Sequence, residues 1–105
     1  MAKRLLFRVT TPLGYRVQLT RDRWREILRF KHPALKGHEK DVEECLADPD
    51  IVRSSLKDPD VHIYYRVSPK GYVCAVVSGV DNQDRFVITA YFTKKPKQGN
   101  ELWIK

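Results

Sequence analysis

The sequence predicts an α+β domain in which N-terminal helices pack on one face of a four- or five-stranded antiparallel sheet. Three observations predict it. Helical periodicity is confined to residues 20–46, ahead of most of the strand signals. The later chain alternates, or runs apolar, in strand-length pieces divided by turn residues. The length, 105 residues, suits one domain spanning 1–105 around one compact core.

Each element follows in order. Leu5 to Leu19 alternates loosely and is broken by Thr11-Pro12-Leu13-Gly14, a turn sequence that predicts a hairpin. Thr20 can cap a helix, because its hydroxyl can accept from orphan backbone N–H groups. Leu19 and Trp24 have the spacing of a hydrophobic staple. Trp24, Ile27 and Leu28 then line one helix face, among arginines, and Pro33 ends the helix at or before His32. Val42, Cys45 and Leu46 make the apolar stripe of a second helix, Glu39 to Leu46, which Asp48-Pro49 ends.

The rest reads as sheet. Ile51 to Leu56 is a weak strand, and Val61 to Val67 alternates strictly. Tyr72 to Val80 is apolar on both sides, as in a central strand. Phe86 to Thr93 is rich in β-branched and aromatic residues. Pro69-Lys70-Gly71 and Asp81-Asn82-Gln83 supply turns, and Glu101 to Ile104 is a short edge strand.

Composition excludes several classes. No run reaches the roughly 20 apolar residues that span a bilayer. The basic start MAKRLLFRVT lacks the apolar stretch of a signal peptide. Two cysteines, Cys45 and Cys74, make no disulfide framework and suit buried thiols in a reducing cytoplasm, the expected location. The net charge of +7 favours polyanionic partners. It is uneven: +8 over residues 1–40, −5 over 41–62 and +4 over 63–105. There is no phosphate-binding glycine loop or dinucleotide fingerprint, and no Cys-x-x-Cys. His32, His38 and His62 lack metal spacing, so neither a metal nor another cofactor is expected.

What remains is a polar row. Thr89, Tyr91 and Thr93 alternate with Ile88, Ala90 and Phe92. A sheet can bring them beside His62, Tyr64 and Arg66, and beside Arg53 and Ser55. Tyr64 and Tyr65 point to opposite faces, and Tyr64 is read as the one on the polar side. Such a face suits a phosphodiester: arginine forks pair with phosphate oxygens, and tyrosines stack on bases.

The order HPAL, VEECLADPDIVRSS, DPDVHIYYR, VITAYFTKK and a closing G-x-E-x-W resembles a small phage- and mobile-element-associated nuclease domain. That domain belongs to the barnase–EndoU–colicin–RelE-like superfamily of metal-independent ribonucleases, and the resemblance covers residues about 17 to 104. It implies a barnase/RelE-like sheet with its active site opposite the helices. It also implies an endoribonuclease that can be toxin-like, in the sense of being held by an antitoxin or immunity protein. Carried over, it assigns catalysis to His32, Arg53, Tyr64, Thr89 and Tyr91. Arg66, Thr93, Lys94 and Lys95 would hold substrate, such as tRNA or mRNA.

The chemistry follows from RNA, which brings its own nucleophile, the 2′-hydroxyl. A base must take that proton, an acid must protonate the leaving 5′-oxygen, and cations must balance the phosphorane. Histidine is the side chain that titrates near neutrality, so His32 is the acid/base candidate. The alternative is a nucleic-acid-binding domain that uses the same basic face without catalysis. A third reading is a structural or protein-interaction domain whose charge serves solubility.

Overall fold

The computed structural model describes residues 4–69, 71–78 and 84–105. Two strands come first, β1 (Leu5–Thr10) and β2 (Arg16–Thr20). Between them Gly14 turns at φ +95°, a backbone that side chains disfavour, and its N–H donates to Thr11 O at 3.0 Å. Helix α1 (Arg21–Glu26) then starts as expected, with Thr20 Oγ1 accepting the Arg23 N–H at 3.1 Å. Leu19 and Trp24 of the staple are both buried.

The helix widens into a π-helical turn, Ile27–Lys31. Its last bond runs from His32 N–H back five residues to Ile27 O at 2.7 Å. Pro33, with no N–H to donate, opens a 3-10 turn (Pro33–Leu35) that buries Leu35 completely. Helix α2 (Glu39–Ala47) buries Val42, Cys45 and Leu46, the stripe read from its spacing. Burying a side chain such as Leu46 contributes about 1.5–3 kcal/mol.

Strands β3 (Ile51–Ser55), β4 (Val61–Ser68), β5 (Gly71–Ser78), β6 (Asp84–Thr93) and β7 (Gly99–Ile104) follow. The Asp81-Asn82-Gln83 turn, Lys70, and the expected extension of β5 to Val80 lie outside the described residues.

The expected architecture is overturned. The sheet has seven strands in the order β1-β2-β6-β5-β4-β3-β7, and it is mixed, not antiparallel. The N-terminal hairpin does not stand apart from the sheet. β2 pairs parallel with β6, Arg16 to Gln18 against Asp84 to Phe86. The helices are therefore an insertion between the second and third strands, short and on one face. Local propensity marks the strands but not this pairing, because it joins segments separated by most of the chain.

The other difference is β7. It pairs with β3 at the sheet's far edge, four strands away from β6. In a flat sheet Thr93 and Gly99 would lie about 27 Å apart, given the usual strand spacing and rise. Six residues reach about 22 Å at most. The sheet must therefore curl, and residues 94–98 cross its inner face as a strap.

Two apolar clusters result. One lies under the helices and includes Val17, Leu19, Ile27, Leu35, Leu46 and Val87. The other lies under the strap, where Ile63, Tyr65 and Cys74 are buried among Ile51, Tyr72, Val76 and Tyr91. Cys45 and Cys74 are both free and buried, one in each cluster. No helix among the described residues is long and apolar enough to cross a membrane.

Candidate functional site

Strand register decides which polar residues meet. Arg53, Ile63, Val76 and Thr89 form one row across the open face, and Ile51, Tyr65, Cys74 and Tyr91 form the next. Val67, Tyr72 and Thr93 make a third. The expected partners of the Thr89-Tyr91-Thr93 row, His62, Tyr64 and Arg66, point the other way. Tyr64 lines up with Val52, Ala75 and Ala90 beneath the helices and is wholly buried. Tyr65, not Tyr64, belongs to the face that carries Arg53 and Tyr91.

His32 reaches this face from the side. Beyond Gln18, β2 leaves the edge of β6 to enter α1, and the π-helical and 3-10 turns take its place. The change of turn at Pro33 takes His32 out of the helical conformation (φ −141°, ψ 75°). Its half-buried ring then packs on Tyr91, with centroids 5.2 Å apart and planes 36° apart. The Tyr91 phenol is pushed above its usual range, chiefly by burial and then by the neighbouring Cys74 thiol. Cys74 itself is pushed up to about 12, by burial.

The strap completes the site. Lys97 N–H donates to Tyr65 Oη at 2.9 Å, and Arg53 Nη1 donates to Lys97 O at 2.8 Å. The Lys97 ammonium lies 5.8 Å from the Tyr91 ring centre. Arg53 also faces Glu101 at 3.7 Å. Its Nε and the Thr89 hydroxyl are buried without a hydrogen-bond partner among the described residues, and both lie in one row of the sheet. Orphaned polar atoms of this kind are uncommon in folded proteins and mark a place where something else can bond.

The remaining expected residues lie apart. Arg66 donates to Asp48 O at 2.6 Å and to Asp48 Oδ2 at 3.1 Å, on the helix side. Lys105 and Arg66 together hold the Asp48 carboxyl below the usual range. Thr93 spends its hydroxyl on the following turn, donating to Lys95 O at 3.0 Å. Lys94 and Lys95 are exposed at the strap's start. Among the described residues no group of three His, Cys, Asp or Glu side chains is arranged to hold a metal ion.

Tyr64 belongs instead to a buried polar chain that the sequence reading missed. Its hydroxyl is 2.8 Å from Thr11 Oγ1 and 2.5 Å from Tyr15 Oη. Tyr15 Oη lies 2.7 Å from His62 Nδ1, and Arg85 Nη1 lies 3.3 Å from the same nitrogen while donating to Asp60 O at 2.9 Å. The Arg85 guanidinium sits 4.4 Å from the Tyr15 ring centre. A guanidinium only donates, so Nδ1 of His62 is the unprotonated acceptor and its proton belongs on Nε2. The chain clasps the hairpin turn to β4 and β6.

Burial, then the Arg85 charge, lower the His62 pKa against the opposing pull of Asp60. The folded state thus favours neutral His62, while the unfolded chain takes up a proton near pH 6.5. Stability that is fully present above that pH is lost as pH falls through the window below it. A denaturant midpoint that drops between pH 7.5 and 5 in the wild type, and drops less in His62→Gln, is the expected result. An identical pH dependence in the variant would contradict it.

Comparison of the chain with protein-family models, with curated proteins and with solved structures finds no match in any of the three.

Proposed function

We propose that the chain is a metal-independent endoribonuclease acting at the His32–Tyr91 end of the open sheet face. The observation that carries this reading is the ring contact between His32 and Tyr91, with the Lys97 ammonium over the same phenol. A proton-transfer group, a hydroxyl and a cation thus border one half-buried surface. In-line attack of a 2′-hydroxyl on its own phosphate asks for that set. His32 takes the 2′-proton or supplies one to the leaving 5′-oxygen. Tyr91, whose phenol stays protonated and is hydrogen-bonded to the Cys74 thiol, turns that proton to a phosphoryl oxygen when RNA binds. The orphaned Thr89 hydroxyl, one row along, is a further donor.

The reading keeps the chemistry implied by the motif order without the sheet that it implied. It leaves Tyr64 and Arg66 out of the site, since one is buried in the hairpin clasp and the other is held by Asp48. Its substrate is cytoplasmic RNA, gathered by the basic residues of α1 and the strap. An inhibitor protein covering the open face would be the companion of a toxin-like enzyme.

Non-catalytic RNA binding is the second reading, favoured by the engagement of Arg53 with the strap. Purified protein incubated with total RNA and tRNA, with and without EDTA, separates the two. Cleavage that EDTA leaves intact is expected. Salt-sensitive binding with RNA left whole would select the binding module.

A further inference from the structure

We infer that Lys97 is the phosphate-facing cation of this site and that Arg53 is its positioning residue. The inference rests on the ribonuclease reading above and reassigns the charge within it.

Arg53 is the residue that the motif order offers as the phosphate clamp, yet its guanidinium is committed. Nη1 donates to Lys97 O, Nη2 faces Glu101, and the side chain is only 22% exposed. To fork a phosphate it would have to release the strap. Lys97 has the complementary set of properties. Its backbone is fixed at both ends, its N–H by Tyr65 Oη and its carbonyl by Arg53. Pro96 just before it removes one backbone donor and fixes one backbone torsion. Its residue is exposed, and none of the ion pairs found among the described residues uses its ammonium.

That ammonium lies against Tyr91, the ring that His32 also touches. Its positive charge is felt at Cys74 beneath. A lysine whose main chain is pinned while its head is free can follow the charge that builds on a phosphorane. A lysine is a point charge with three rotatable donors, suited to an anion that changes shape during attack.

The test uses the full chain and compares Lys97→Ala, Lys97→Arg, Arg53→Ala, Arg53→Lys and the double alanine variant. The readouts are kcat and KM on one RNA, the salt dependence of binding to that RNA, and thermal midpoints as a check of folding. Lys97→Ala is expected to lower kcat on the order of 100-fold. Lys97→Arg keeps most of that activity because the charge is retained. Arg53→Ala lowers kcat too, but the double variant is no slower than Lys97→Ala alone, since Arg53 acts through Lys97. Lys97→Ala also removes about one unit from the slope of log affinity against log salt.

Losses that multiply in the double variant would make Arg53 an independent phosphate ligand and overturn the assignment. An unchanged kcat and salt slope in Lys97→Ala would overturn it as well. If the wild type binds RNA without cutting it, the ribonuclease reading fails, and the salt slope still decides whether Lys97 is the cation. A wild type that neither binds nor cuts RNA removes both.

Discussion

His32→Ala is expected to lower RNA cleavage by on the order of 10²–10⁴-fold, the range that a positioned acid or base supplies. The fold should survive the change. The side chain is half-buried and its contact with Tyr91 is a ring packing, worth about 1 kcal/mol. His32→Gln keeps a hydrogen-bonding group but cannot exchange a proton near neutrality, so it is expected to be as slow as the alanine variant. Single-turnover rates measured across pH 5 to 9 check both. A His32→Ala enzyme within twofold of the wild type would remove His32 from the chemistry and leave Tyr91 with Lys97 as a binding surface only.

Gly99→Ala is expected to cost about 3 kcal/mol of stability, because its methyl cannot be accommodated. A Cβ at Gly99 would overlap the Ser54 carbonyl oxygen and approach Arg53 Cβ at 3.3 Å. The obstacle is backbone, not the tip of a flexible side chain. Nor can β7 slide away freely, since the strap before it is bonded to Tyr65 and Arg53 through Lys97. The expected fall in thermal midpoint is about 15 °C for a domain of this size. Loosened β7 would also release Trp103, whose indole N–H donates to Pro49 O at 3.4 Å, and shift its emission to the red. An unchanged midpoint and emission would mean that β7 adapts to the added methyl.

These two residues divide what the sequence could reveal from what it could not. Local features were legible. The Thr20 cap, the Leu19–Trp24 staple, the α2 stripe and most strand limits each depend on a few neighbouring side chains. The Pro33 stop was legible too, although the wide turn before it was not, and that turn sets where His32 lands. Long-range pairing was not legible. Nothing in RVQLT says that β2 will run parallel to β6, or in GNELWI that β7 will lie past three strands from β6, on the far side of β3. Those placements are decided by the curl of the whole sheet.

β4 alternates as its sequence predicts, but its two faces lie the opposite way round. Val61, Ile63, Tyr65 and Val67 look like the core row, and His62, Tyr64 and Arg66 look like the open one. In the fold the polar row lies beneath the helices, because Thr11, Tyr15, Arg85 and Asp48 supply its partners. Of the apolar row, Ile63 and Tyr65 are buried on the opposite face, where the strap bonds the Tyr65 hydroxyl, while Val67 stays exposed. Period two separates the sides of a strand but does not say what covers each. The same reversal hid Lys97, which matters only once the strap is known to lie over Tyr65. Its one sequence signal was the Pro96 that precedes it.

The charge that first pointed to polyanions now divides by role. Arg66 and Arg53 are held within the fold, by Asp48 and by the strap. Arg85 is held in the hairpin clasp. Arg23 and Arg25 of α1 pair with Glu26 and Asp22 at the surface, and the lysines of the strap remain for a partner.

The most direct test of the central claim is the chemistry of the ends left on total RNA after incubation in EDTA. Attack by the 2′-hydroxyl predicts 2′,3′-cyclic phosphate termini with the wild type, and their loss with His32→Ala. Intact RNA, or cleavage that leaves 3′-hydroxyl ends, would contradict it.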